Sequence, residues 1–236
     1  MVDSQLQLVL DHIACTIGLD QEEWEPRPPG YRGQIEAALL DSVFSLRAVY
    51  GTSSSKGPRA VVRRWEDHVK RPLDNLEELV NEVDRLGGEG GFRRVLKHDG
   101  VAVPNAADQP TKAFAVYTSA KALVDFGVIT AADAIRERHD QPKKLLRAIQ
   151  KGRGVGPQAA TYFLMNLGQP GVKADVMIIG FVNAALGTTV SAQEAADLVT
   201  SAAVQLKADV IRLDHTIWKN GSDRARMSKR RRAELN

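Results

Sequence analysis

The chain has 236 residues, 43% of them hydrophobic and 26% charged, an ordinary balance for one large or two small globular domains. A net charge of +3 and a pI near 9.0 permit a nucleic-acid partner without requiring one. The only cysteine, Cys15, excludes an internal disulfide, a cysteine-held iron–sulfur cluster and a cysteine-based zinc site, and the five histidines (12, 68, 98, 139 and 215) show no metal-ligand spacing.

In chain order, "MVDSQLQLVLDHIAC" carries apolar residues at helical spacing and lacks the basic start and long apolar core of a secretory leader. "EPRPPGYRG" (25–33) breaks the periodicity and predicts a boundary between lobes. Helical spacing resumes in "QIEAALLDSVFSLRAVY", and "GTSSSKGP" (51–58) predicts an exposed loop. "RAVVRRWEDHV" and "LDNLEELVNEVDRL" are again helical, and "GGEGGF" (87–92) predicts a glycine hinge. "AFAVYTSAKALVDFGV", "TAADAIRERH" with Thr130 as N-cap, and "PKKLLRAIQ" follow. "VMIIGFVNAAL" (176–186) is the most apolar stretch, and it is far shorter than the roughly 20 residues a bilayer requires. "SAQEAADLVTSAAVQL" opens with Ser191 as N-cap and Glu194 completing a capping box. "DVIRLDHTIW" is the last helix. "MSKRRRAELN" predicts a loose basic tail, since Lys219 to Asn236 hold seven Lys or Arg against Asp223 and Glu234. No alternation of period two and no internal repeat is present. The expectation is an all-α, cytoplasmic protein of about a dozen short helices.

The stretch "KGRGVGPQAATYFLMNLGQPGVKAD" (151–175) concentrates the chemistry. Gly154 and Gly156 allow a tight turn and close approach, and Pro157 suits the first turn of a helix. The N–H groups of that turn attract anions, phosphates above all. Lys143, Lys144, Lys151 and Arg153 surround it with positive charge. Asp175 is a natural cap for the helix that follows, and equally a carboxylate able to stabilise a cationic transition state.

"PKKLLRAIQ", the hairpin "GRGVG", the next helix and an Asp 19 residues past Gly156 together resemble the helix-hairpin-helix/Gly-Pro-Asp superfamily of DNA glycosylases. The likeness spans about residues 110–186, including "AKALVDFG", and extends more diffusely over 31–109; "RLDHTIWKNG" resembles the closing helix of such proteins. "DVMII", where endonuclease III relatives carry Asp-Thr-His, and the absence of four cysteines shift the likeness toward the alkylpurine, cluster-free branch.

The resemblance implies an all-α, DNA glycosylase-like fold of two helical lobes. Residues 31–168 form a helical barrel with the helix-hairpin-helix at about 142–168, and residues 1–30 plus 169–236 form a second lobe ending in the basic tail. It implies a monomeric, nucleoid-associated enzyme whose partner is double-stranded DNA containing a modified base, with no membrane partner. Asp175 is the implied catalytic residue. Lys151, Arg153, Gly154, Val155, Gly156 and Gln158 are the implied phosphate contacts. Strand-cutting relatives carry at the position of Gln158 a Lys that attacks the sugar; Gln cannot, so the reaction ends at an abasic site. Candidates to stack on the extruded base or wedge into the duplex are Leu46, Arg47, Tyr50, Trp65, Tyr117, Tyr162 and Trp218. No cofactor or catalytic metal is required; a monovalent cation on the hairpin carbonyls is implied. Rival readings are a non-catalytic DNA-binding module, a glycosylase/lyase using a displaced Lys, and the same excision directed at hypermodified phage DNA.

Overall fold

Twelve helices and one isolated antiparallel bridge, Val101 with Thr111, make up the regular structure of the described residues, which are 2–27, 29–48, 57–103 and 108–234 of a computed structural model. The chain is all-α, as apolar spacing and capping residues dictate. The helices are α1 (Val2–Thr16), α2 (Ile35–Phe44), α3 (Pro58–Val69), α4 (Leu76–Arg85), α5 (Glu89–Leu96), α6 (Lys112–Asp125), α7 (Ala131–Asp140), α8 (Pro142–Ile149), α9 (Pro157–Asn166), α10 (Val176–Leu186), α11 (Ala192–Gln205) and α12 (Val210–Glu234). Thr130 and Ser191 cap α7 and α11, each with a reciprocal bond from the third helical residue, Asp133 and Glu194. Gly87 and Gly88, both at positive φ, make the turn between α4 and α5. No helix among the described residues is long and apolar enough to cross a membrane.

The chain divides into two compact units, Pro29–Gln169 and a second made of Met1–Pro28 with Pro170–Asn236. The first unit holds α2 to α9. Every residue of α2 is buried, against α3, α6 and α9, so it forms the axis of this core. That position forces two acids of α2 inside. Glu36, fully buried, takes the Arg71 guanidinium at 2.6 Å and the Trp65 indole N–H at 2.8 Å. Burial pushes its carboxyl up, and the bonds from Arg71 and Trp65 pull it back. Asp41 accepts from Tyr31, Ser45 and Asn166, fastening α2 to the end of α9. At the C-terminus of α2 the buried Lys112 ammonium donates to the carbonyls of Phe44 and Leu46 at 3.1 and 2.5 Å, the position that helix polarity favours for a cation. Burial, helped by Arg47, lowers Lys112 to about 8.

The second unit holds α1, α10, α11 and α12. Its apolar core includes Val9, Ile13, Trp24, Ile178, Val182, Leu198, Val199, Leu213 and Ile217. The Trp24 indole N–H closes on the Gly18 carbonyl at 3.0 Å.

The expected loose tail is corrected: α12 continues to Glu234. Asn220, Gly221 and Ser222 are weak helix formers, but Gly221 lies close against Met177 of α10 and Lys219 pairs with Asp223 one turn on at 2.6 Å, so the helix passes through them, and the strong formers Arg, Lys, Met, Ala and Glu carry it on.

Candidate functional site

Two helix starts carry the candidate chemistry, one in each unit. In the first unit, α8 buries Leu145, Ala148 and Ile149 and leaves Lys143, Lys144 and Arg147 exposed. From Pro142 to Gln158 the chain carries five cations (Lys143, Lys144, Arg147, Lys151 and Arg153) and no acid. The turn that follows is built by packing. A side chain at Gly152 would meet Ser119 Oγ at 1.9 Å and the Ala115 carbonyl at 2.5 Å. Ser119 Oγ instead donates to the Ile149 carbonyl at 2.7 Å, tying the turn to α6. Gly154 has φ +91, where side chains are strained, and a Cβ there would meet Ala102 and Val103 at 2.7 and 2.8 Å. Val155 plugs the core at 5% exposure.

Gly156 is different. Its φ of −84 and ψ of 179 are open to any residue, and the nearest atom to an added Cβ is Gln158 Oε1 at 3.9 Å. Nothing within the fold demands glycine there. Gly156 is the N-cap of α9 with no side-chain cap, and Pro157 follows at the first helical position. Among the described residues the backbone N–H groups of Gly154, Gly156 and Ala159 meet no acceptor. The result is a helix start in basic surroundings with no side-chain cap.

The proposed phosphate contacts separate accordingly. Gly154 and Gly156 present free backbone donors, Lys151 is exposed, and Gln158 lies half-buried in the first turn of α9. Val155 is corrected: its N–H donates to the Gly152 carbonyl at 2.9 Å, so it holds the turn together and has no donor to offer. Arg153 is exposed and ion-paired with Asp108, which neutralises much of its charge. A monovalent cation here would rest on backbone carbonyls alone. The Ile149 carbonyl is already taken by Gly152 N–H and Ser119 Oγ, so it adds nothing to such a site. Among the described residues no three His, Cys, Asp or Glu side chains gather as metal ligands.

The aromatic and wedge candidates scatter. Trp65 is corrected: it is fully buried, edge-on to Phe92 and hydrogen-bonded to Glu36, a core residue closed to any base. Leu46 is half-buried against the same core, and its carbonyl holds Lys112. Arg47 is exposed at φ 53 and donates to the Ala102 carbonyl at 2.6 Å, on the segment that packs against Gly154. Tyr117 gives its hydroxyl to Asp84 and lies under Lys121. Tyr162, on α9, is half-buried. Trp218 packs on the core of the second unit with His215 stacked on it, and burial lowers the His215 imidazole. Tyr50 lies outside the described residues.

In the second unit, Asp175 is the N-cap of α10. Its Oδ1 accepts from Met177 N–H at 2.9 Å and Ile178 N–H at 3.4 Å. Among the described residues its Oδ2 accepts no hydrogen bond. Capping therefore occupies one oxygen of the carboxylate and leaves the other. Val176, next in the chain, is 77% exposed, so this helix start faces outward.

Asp214 belongs to no candidate-site motif in the sequence, yet its carboxyl is strongly perturbed. It sits on α12 at 7% exposure, and its Oδ1 accepts from Lys173 N–H at 2.9 Å. Burial pushes it up to about 7, and the Asp175 charge adds to the rise; Lys173 and Arg27 work against it. A signal for it exists: Asp214 is four residues after Val210 and three before Ile217, on the apolar stripe of its helix, where a carboxyl is out of place.

A family model described as Domain of unknown function (DUF8548) matches residues 10–222, and the chain belongs to that family. No curated protein and no solved structure matches it.

Proposed function

We propose that this member of the DUF8548 family is a monofunctional DNA glycosylase that hydrolyses the N-glycosidic bond of a modified base turned out of the duplex. The observation that carries the reading is the divided Asp175 carboxylate, Oδ1 spent on the cap and Oδ2 accepting no bond among the described residues. A carboxylate fixed by its own helix needs no reorganisation when positive charge develops on a sugar. The bare start of α9 supports the same reading from the binding side. Backbone donors at Gly154 and Gly156 suit a DNA phosphate without reading sequence, and the basic face of α8 adds salt-dependent attraction.

In this mechanism the bond from C1′ of the sugar to the base nitrogen breaks, and the base departs with the electron pair. A water oxygen forms the new bond at C1′, and the proton it loses ends, by way of solvent, on the nitrogen of the departed base. The Asp175 carboxylate stabilises the oxocarbenium-like transition state between these events and orients the water. The amide of Gln158 has no amine to form a Schiff base, and the most perturbed lysine, Lys112, is buried with its ammonium on two carbonyls. The product is an intact strand with an abasic site. No metal or cofactor enters a step.

The test is a set of duplexes, each carrying one alkylated, deaminated, oxidised or glucosylated base. Free base is measured by chromatography, and strand integrity before and after alkali. One duplex should release its base and break only after alkali. Absence of release from every duplex, or a borohydride-trapped protein–DNA adduct, overturns the reading.

A further inference from the structure

We infer that Asp214 is the positioning residue for Asp175, acting through the backbone of Lys173; the inference rests on the reading of Asp175 given above. The joint is visible in two hydrogen bonds. Lys173 N–H donates to Asp214 Oδ1 at 2.9 Å, and the Lys173 carbonyl accepts from Asp175 N–H at 2.6 Å. The backbone of one residue, through its N–H and its C=O, thus connects the side chain on α12 with the backbone that presents the carboxylate on α10. Val172 and Ala174 on either side are buried at 6% and 4% exposure in the same apolar cluster as Leu213 and Ile217. Apolar packing holds the segment against α12, and the Asp214 bond sets its register.

A carboxyl in this place is costly as a mere filler. Burying an acid that accepts one hydrogen bond among the described residues weakens a core that an apolar residue would serve better. Its acceptor oxygen is what an apolar residue cannot supply. Lys173 and Asp175 from the 170–175 segment and Arg27 from the chain after α1 face Asp214. Burial and the Asp175 charge favour a protonated Asp214, so the segment is held without a full second negative charge beside Asp175. Two neighbouring carboxyls in unlike environments thereby take unlike roles.

The experiment compares Asp214→Ala, which removes the acceptor, with Asp214→Asn, which keeps an oxygen in its place. Hydrogen exchange at the Lys173 amide, single-turnover excision and duplex affinity are measured on the full chain. Asp214→Ala is expected to expose the Lys173 amide and slow excision by about 10²-fold, as a shift of roughly 1 Å in a reacting group does, with affinity kept within about twofold. Asp214→Asn should restore both protection and rate. If Asp214→Ala fails to fold, Asp214→Ser, too short to reach the amide, replaces it. Unchanged exchange in a folded Ala or Ser variant overturns the inference, and so does an Asn variant as slow as Ala. If the wild-type protein excises nothing, the glycosylase reading fails separately, and the exchange data alone still decide whether Asp214 holds the Lys173 peptide.

Discussion

The starts of α9 and α10 solve one problem in opposite ways. Both helices open with N–H groups that need an acceptor. At α10 the chain supplies its own, Asp175 Oδ1, at 2.9 Å from Met177 N–H. At α9 it supplies none: the N-cap is Gly156, and no side chain caps it. The first start is complete in itself and projects a carboxylate; the second is left for an acceptor from outside. The contrast extends to the glycines of the turn. Gly152 and Gly154 are required by neighbours within the first unit, whereas Gly156 is required by none. A helix start kept bare without an internal reason is the feature a phosphate would explain.

Substitutions at the turn and at Asp214 break or sharpen this contrast, from the largest effect to the smallest. Gly152→Ala attacks the scaffold of the turn, because its new methyl group would meet Ser119 Oγ at 1.9 Å. It should cost about 3 kcal/mol in denaturant unfolding, the upper range for overpacking. Gly156→Ala, with open space around it, should cost only about 0.5–1 kcal/mol, the difference between glycine and alanine at an N-cap. Equal losses at both positions would erase the distinction between them.

Asp214 sharpens the comparison through pH. Its folded value, about 7, lies above its unfolded value, about 3.8, so the fold prefers the protonated form. The stability it allows is full below about pH 4 and is lost as pH rises through about 7. Asp214→Asn removes this loss. The variant should match the wild type near pH 4 and exceed it near pH 8 by about 2 kcal/mol, measured by thermal unfolding across that range. A wild-type protein with no such decline would contradict the account of this group.

Gly156→Asp would turn the bare start into a copy of the α10 start. The new carboxylate caps α9 and occupies the seat of an incoming anion. Duplex affinity should fall about tenfold for every sequence alike, with stability equal or slightly higher. Binding unchanged in fluorescence anisotropy would make the turn a connector and nothing more. The smallest effect is expected at Arg153, already paired with Asp108 on the surface. Arg153→Ala should alter stability by less than about 0.5 kcal/mol and weaken binding less than Lys151→Ala does.

The legible part of this molecule is local. Thr130, Ser191 with Glu194, and Asp175 each act on N–H groups within three residues, Pro157 sits at the first helical position where no N–H is needed, and their structural roles stand as their spacing predicts. What depends on distant partners was hidden. Gly152 is set by Ser119 on α6, and Trp65 is removed from any pocket by Glu36, 29 residues away. Asp214 meets the Lys173 amide across 41 residues, and only its place on an apolar stripe hints at the contact. The two glycines of the hairpin look alike in sequence; only φ and the neighbouring atoms separate the structural one from the unconstrained one. The basic run from Lys229 reads as a loose tail by its charge, whereas the helix propensity of its residues carries α12 to Glu234.

The central claim, that Asp175 serves a reaction and not only a helix, is tested most directly by Asp175→Asn. Asn keeps an oxygen for Met177 N–H and is itself a good N-cap, so the cap stays and the charge goes. On a duplex whose base the wild type releases, the account predicts at least ~10²-fold slower excision, with melting temperature and duplex affinity unchanged. Near-wild-type excision by the folded Asp175→Asn protein would contradict it and leave Asp175 as the cap of α10 alone.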